Sequence, residues 1–175
     1  MDLAKFDTEE LVALAKFDLD HDKIDSALEK VKIILTADDC PLEAKGLAAR
    51  LYAQLKLFDK AKALYVQYLE ISPESITELF QLGMVNLESG NSDEAIAIWS
   101  QLLEQNATHP PSLYYSAIAL LEAEQVDEAS RHLNVLLQSA PADNLYFGKA
   151  KEILDNMNQG KKSTPQNNAS TSLYQ

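Results

Sequence analysis

The sequence predicts an all-α protein built from four repeated helix-turn-helix units and a closing helix, and three observations carry that prediction. Alanines 27, 61, 95 and 129 stand 34 residues apart, each with an aspartate two positions earlier: Asp25, Asp59, Asp93 and Asp127. Other positions keep the same interval, with Val31, Tyr65, Trp99 and Leu133 four residues after each alanine and Ile34, Tyr68, Leu102 and Leu136 seven after. Between these sets, polar and turn-forming residues separate apolar residues at helical spacing. A period of about 20 to 50 residues marks stacked supersecondary units, none of which buries its apolar face alone.

Taken in order, Thr8 suits the N-cap of the first helix, and Glu9 and Glu10 fall in the first turn, where the helix dipole favours negative charge. Leu11, Leu14, Ala15 and Phe17 or Asp18 form its apolar face, and it is expected to end near Asp20-His21. Its partner is expected to start at Asp22 or Lys23 and to carry Ala27, Leu28, Val31, Ile34 and Leu35 inward. The second unit opens at Asp39-Cys40-Pro41, since proline suits a first helical position whose N–H would be unpaired anyway. It runs through Leu47, Ala48, Leu51 and Tyr52, turns at Phe58-Asp59 and returns through Ala61, Leu64, Tyr65 and Tyr68.

Ser72-Pro73-Glu74 starts the third unit, which turns at Ser89-Gly90-Asn91-Ser92; there Gly90 can take the left-handed conformation and Ser92 can cap the next helix. His109-Pro110-Pro111-Ser112 opens the fourth, later than the strict interval implies, and its glycine-free turn at 124–127 is expected to be tight and irregular. Small residues, Ala27, Ala61, Gly83, Ala95, Ala117 and Ala129, let paired backbones approach, while Tyr65, Trp99 and Leu133 fill the space toward the next unit. Residues 144–158 place Tyr146 or Phe147, Ala150, Ile153, Leu154 and Met157 on one stripe, as a capping helix requires. From Gln159 the sequence is polar, with Lys161 and Lys162 and no acid, and disorder is expected over 159–175. The expected organisation is a folded domain over 1–158, with repeats at about 8–40, 41–72, 73–108 and 109–141.

The recurrent set, best represented by Leu79, Leu82-Gly83, Ala95 and Trp99, resembles the tetratricopeptide repeat family, whose 34-residue unit is a pair of antiparallel helices. The resemblance covers about residues 7–141. Lys45 departs from it by replacing a large apolar residue, Asp18 and Asn86 by replacing an aromatic one, and only Pro73 and Pro141 end a repeat on schedule. It implies a tetratricopeptide-like helical solenoid that binds another protein, with no catalytic residues and no cofactor.

Composition narrows the function further. The 175 residues carry a formal net charge of -12, which repels phosphate backbones and argues against nucleic acid as a partner. The single cysteine, Cys40, excludes an internal disulfide and reads as an incidental small residue rather than a reactive thiol. Charges scattered through the first twenty residues leave no apolar signal-peptide core, and no stretch has the length of a membrane-spanning helix, so the cytoplasm is the expected location. Asp18, Asp20, Asp22 and Glu29 mimic the spacing of a calcium loop. However, Lys23 stands where glycine is needed for the turn, so these acids read as inter-helix turn residues and no metal is expected. The four repeated aspartates read as helix caps or first-turn dipole partners. His21, His109 and His132 lack paired ligand spacing, and no phosphate loop or nucleophile elbow occurs, so no enzyme is expected.

The positions fifteen, eleven and eight residues before each repeated alanine are expected to face the hollow of the solenoid. They are Val12, Lys16 and Leu19; Gly46, Arg50 and Ala53; Phe80, Met84 and Leu87; and Tyr114, Ile118 and Leu121. Family members that hold chaperone C-termini do so with Lys, Asn and Arg on this face, whereas only Lys16 and Arg50 have that charge here and no Asn accompanies them. The expected partner is therefore a peptide or amphipathic helix of another protein, anchored by Phe80, Met84, Leu87, Tyr114, Ile118 and Leu121, with Lys16 and Arg50 orienting an acidic end. That describes an adaptor or chaperone-like module. The alternative is a homodimeric assembly subunit whose own interface consumes the apolar patch.

Overall fold

The computed structural model describes residues 2–38 and 40–158. After a short 3-10 turn at Leu3–Lys5 come nine α-helices among these residues: α1 Thr8–Asp20, α2 Ile24–Leu35, α3 Leu42–Gln54, α4 Phe58–Ile71, α5 Ile76–Glu88, α6 Ser92–Gln105, α7 Pro110–Glu122, α8 Val126–Ser139 and α9 Leu145–Asn158. No strand occurs among the described residues; the architecture is an all-α helical solenoid of repeats. The first helices of the four pairs begin at 8, 42, 76 and 110, so the fourth keeps the 34-residue interval instead of arriving late. The tail expected to be disordered, 159–175, lies outside the described residues, as does Asp39.

The turn inside each pair shows why the interval is so strict. Asp22, Lys56, Gly90 and Glu124, 34 residues apart, all have left-handed backbones, with φ of 56°, 57°, 84° and 61°. The following N–H donates back to the carbonyl five residues earlier in every case: Lys23 to Asp18, Leu57 to Tyr52, Asn91 to Asn86 and Gln125 to Leu120, at 2.8–2.9 Å. This hydrogen-bond pattern satisfies carbonyls that a helix end leaves unpaired. The glycine-free turn at Glu124 thus has the same geometry as the others and is not irregular. Because Asp22 is left-handed, α2 starts at Ile24, one or two residues after the expected point.

Three capping expectations also shift. Pro41 is the N-cap of α3, not its first helical residue. Asp7, not Thr8, caps α1: its Oδ1 accepts from the Glu10 N–H at 2.8 Å, while the Glu10 carboxylate accepts from the Asp7 N–H at 3.0 Å. Asn91, not Ser92, occupies the N-cap position of α6, with no side-chain cap bond. The repeated aspartates 25, 59, 93 and 127 lie in the first turns of α2, α4, α6 and α8, where the dipole favours them, and none is an N-cap.

The chain divides into two compact units within α5, between Gln81 and Leu82. In the unit ending at Gln81, Leu3, Leu11, Val12, Ile34 and Ala44 form one apolar cluster, with Phe6 and half-buried Cys40 against it. The same unit contains a buried ion pair where the repeat pattern would place an aromatic: Lys30 Nζ lies 2.5 Å from Asp18 Oδ2, and the Ser26 hydroxyl donates to the same oxygen at 2.7 Å. In the unit beginning at Leu82, Leu113, Ala117, Leu120, Ala129, Leu133, Leu136, Ala150 and Ile153 form the cluster that joins α7, α8 and α9. The small residues behave as the sequence requires, since Ala27, Ala61, Ala95, Ala117 and Ala129 have no exposed surface.

Candidate functional site

The structure distributes the sequence-predicted binding residues unevenly. Three of them, Tyr114, Ile118 and Leu121, recur along one face of α7 and pack, half-buried, on the Leu113 to Ile153 cluster. That spacing is the i, i+4, i+7 pattern of a helix face, so the three side chains form a continuous apolar ridge with its base held by core. Leu87, on α5 in the same unit, is also half-buried. Met84 is 1% exposed, so its side chain is part of the packed interior and offers no surface to a ligand. Val12, Leu19 and Ala53, at equivalent places in the other unit, are buried as well.

The remaining predicted residues belong to the unit ending at Gln81. Lys16 forms an ion pair with the carboxylate of Glu43 on α3, which neutralises the charge assigned to an acidic ligand. Arg50 is half-buried, and its Nε has no hydrogen-bond partner among the described residues. It acts on the buried Tyr65 hydroxyl, whose pKa is driven up mainly by desolvation and further by the Glu78 charge, while Arg50 pulls it down. Phe80 is half-buried on α5.

Sequence reasoning missed the ring cluster beside the α7 ridge. Tyr114 and Tyr115 stand edge to face with centroids 5.3 Å apart, and Tyr146 of α9 lies 5.3 Å from Tyr114 and 6.0 Å from Tyr115. Lys149 of α9 sits over two of these rings, 5.7 Å from the Tyr114 centroid and 5.9 Å from that of Tyr146. The signal was present as tyrosines at the starts of α7 and α9, but only the packing of those two helices brings them together.

Burial raises the pKa of Tyr114, Tyr115 and Tyr146, and a Tyr115–Tyr146 hydroxyl hydrogen bond adds to the shift at Tyr115. The three phenols therefore remain neutral donors at physiological pH. Glu152 of α9 lies near enough to Tyr114 to push its pKa up further. The arrangement is an apolar, aromatic ridge with neutral hydroxyls, the Glu152 carboxylate and the Lys149 ammonium at its margin, chemistry that suits a polypeptide with apolar anchors. Among the described residues, no three His, Cys, Asp or Glu side chains gather to hold a metal. No helix of the described residues is long and apolar enough to cross a membrane.

Comparison with known proteins agrees with the repeat pattern. Residues 42–75 and 86–158 match two family models, both described as tetratricopeptide repeat. Among solved structures, a thermophilic TPR protein of Thermus thermophilus aligns with a TM-score of 0.69 at 23% identity, over 85% of this chain and 81% of its own. MamA aligns with a TM-score of 0.73 at 19% identity, over 83% of this chain and 81% of its own. A tetratricopeptide repeat protein from Parabacteroides merdae ATCC 43184 gives 0.75 at 18% identity, over 87% of this chain and 60% of its own. At these identities the likeness is one of fold. Among curated proteins, none matches the chain.

Proposed function

The chain belongs to the tetratricopeptide repeat family, and from that premise we propose that it is a non-catalytic adaptor or chaperone-like module that holds a segment of another protein on the half-buried ridge of α7. The fold is in general a protein-interaction scaffold, which supports the general role. The single observation that supports this particular face is the grouping of Tyr114, Ile118 and Leu121 on a rigid base with part of each side chain open to solvent. A ligand with two or three apolar side chains at helical or extended spacing buries them there, and the phenols and Glu152 give it orientation. Leu87 is a further anchor, whereas Met84 supports the site from the interior.

The test is capture of a partner from lysate of the source cell by wild type and by Tyr114→Ala combined with Ile118→Ala, with helicity checked by circular dichroism. A protein held by the wild type and lost from the helical variant supports the reading. Equal capture by both removes it. A wild-type dimer that the variant converts to monomer, seen by light scattering with no partner captured, replaces it with the homodimeric assembly subunit.

A further inference from the structure

The start of α7, the helix that carries the ridge, leaves a single backbone donor to satisfy. The His109 N–H donates to the Asn106 carbonyl at 3.2 Å, Pro110 and Pro111 have no N–H, and the Leu113 N–H donates to the His109 carbonyl at 3.1 Å. What remains is the Ser112 N–H, on a residue with no exposed surface. Its acceptor is a side chain, the Nδ1 of half-buried His109 at 3.4 Å, and the Ser112 hydroxyl stands 2.8 Å from the same nitrogen. Serine, threonine and asparagine cap helices over the whole physiological range, whereas histidine loses its acceptor in mild acid.

We propose that His109 is a pH-sensitive cap on α7: neutral, it holds the first turn through Ser112, and protonated, it lets that turn loosen and releases Tyr114 from its place in the ridge. This rests on the reading of the ridge as a polypeptide-binding face and adds its regulation, release of the bound segment in mild acid.

Three effects act in the same direction. An imidazole protonated at Nδ1 only donates there, so the buried Ser112 N–H is left without that acceptor. The new positive charge also meets the positive end of the helix dipole. Burial disfavours the charge as well, and it holds the His109 pKa below the ordinary 6.5. Tyr114 follows Ser112 by two residues and its ring meets that of Tyr146 at 5.3 Å, so a loosened first turn reaches the ridge directly.

The helices α6, α8 and α9 pack against α7. The charged groups they bring toward this end are Glu104 in the last turn of α6 and Asp143 ahead of α9, both exposed, while α8 has no formal charge after Arg131. Burial rather than these charges sets the direction of the His109 shift. His132 of α8 is also lowered, first by burial and then by Arg131, and mutation separates it from His109. A histidine with a depressed folded-state pKa contributes stability that is fully present above its unfolded pKa of about 6.5 and is lost as pH falls through the folded value.

The experiment compares the full chain with His109→Asn, which keeps an uncharged cap acceptor at every pH. Between pH 7.5 and 5 the wild type is expected to lose about 2–4 °C more of its melting temperature than His109→Asn, and the same excess is expected when both carry His132→Gln. In two-dimensional spectra the Ser112 and Tyr114 amides of the wild type are expected to shift with the midpoint of the His109 ring and to stay still in His109→Asn. Equal losses of melting temperature, or a Ser112 amide that ignores the His109 titration, overturn the cap. A Tyr114 amide that stays still while Ser112 moves overturns the link to the ridge. The two readings fail separately. A partner that Tyr114→Ala with Ile118→Ala no longer captures at pH 7.5, but that wild type and His109→Asn hold equally at pH 5.5, removes the regulation alone. Titration of Tyr114 with no partner captured at any pH supports the cap and removes the external-partner role alone.

Discussion

Gly83 of α5 lies so close to Trp99 of α6 that a Cβ built at position 83 would stand 2.2 Å from the indole Nε1 and 2.5 Å from Cε2. Trp99 has no exposed surface and is among the largest fully buried side chains. The pair explains why the repeat needs a small residue in its first helix and can use its largest residue in the second. Neither the indole nor the helix backbone can move away within a close-packed interior.

Gly83→Ala is therefore expected to destabilise the protein by about 2–3 kcal/mol, even though alanine is the better helix former by about 1 kcal/mol. The midpoint of urea unfolding checks it, and a variant as stable as the wild type would refute the close contact. Combining it with Trp99→Leu is expected to cost less than the two changes added together, because the smaller side chain vacates the space the methyl enters.

The buried pair of Lys30 and Asp18 gives a prediction about pH. The Lys30 ammonium, then the Ser26 hydroxyl, hold the Asp18 carboxyl below its ordinary pKa. A carboxylate with a depressed folded-state pKa contributes stability that is fully present above its unfolded pKa of about 3.9 and is lost as pH falls through the folded value. Asp18→Asn imitates the protonated acid. The wild type is expected to exceed it in stability by a constant margin between pH 5 and 8 and to lose that margin progressively below about pH 4. A margin independent of pH would mean that the ionic interaction contributes nothing.

Lys30→Met alone leaves a buried carboxylate without its cation and is expected to cost about 3 kcal/mol. Asp18→Leu together with Lys30→Leu restores an apolar contact of the kind the fourth repeat uses at Leu120, and is expected to recover most of that loss. Thermal melts of the three proteins decide the matter; a double variant no better than the single one would show that the ion pair cannot be exchanged for packing.

The four left-handed turn positions give a graded prediction. A residue with a Cβ is strained by about 1–2 kcal/mol at such a φ, partly offset by the greater chain entropy glycine loses on folding. Replacing Asp22, Lys56 or Glu124 with glycine is expected to stabilise the fold by about 0.5–1 kcal/mol each, and Gly90→Ala to destabilise it by a similar amount. Unfolding midpoints that fall for the glycine variants would show that the side chains at these turns have a role the backbone does not reveal.

How much of this could be read beforehand depends on the kind of residue. The 34-residue interval at Ala27, Ala61, Ala95 and Ala129 was enough to place the eight paired helices, because a repeated unit has repeated local constraints: apolar spacing, a left-handed turn and a carbonyl to satisfy; the ninth followed from its own apolar stripe. The fourth turn was misjudged because the sequence signal sought was glycine, and Glu124 adopts the conformation without it.

The all-α repeat architecture, the place of each helix and the small residues at each crossing follow from the order of residues alone, since all of these are local or strictly periodic. Packing between helices settled what each side chain on the expected binding face does. It buried Met84, joined Lys16 to Glu43, brought Tyr146 and Lys149 to Tyr114, and left Tyr114, Ile118 and Leu121 half open on α7. These outcomes depend on which neighbouring helix fills the space beside a residue, and that neighbour can lie a repeat away along the chain. A 34-residue frame assigns equivalent positions the same direction, but exposure depends on the sizes of the side chains opposite, and those differ from repeat to repeat.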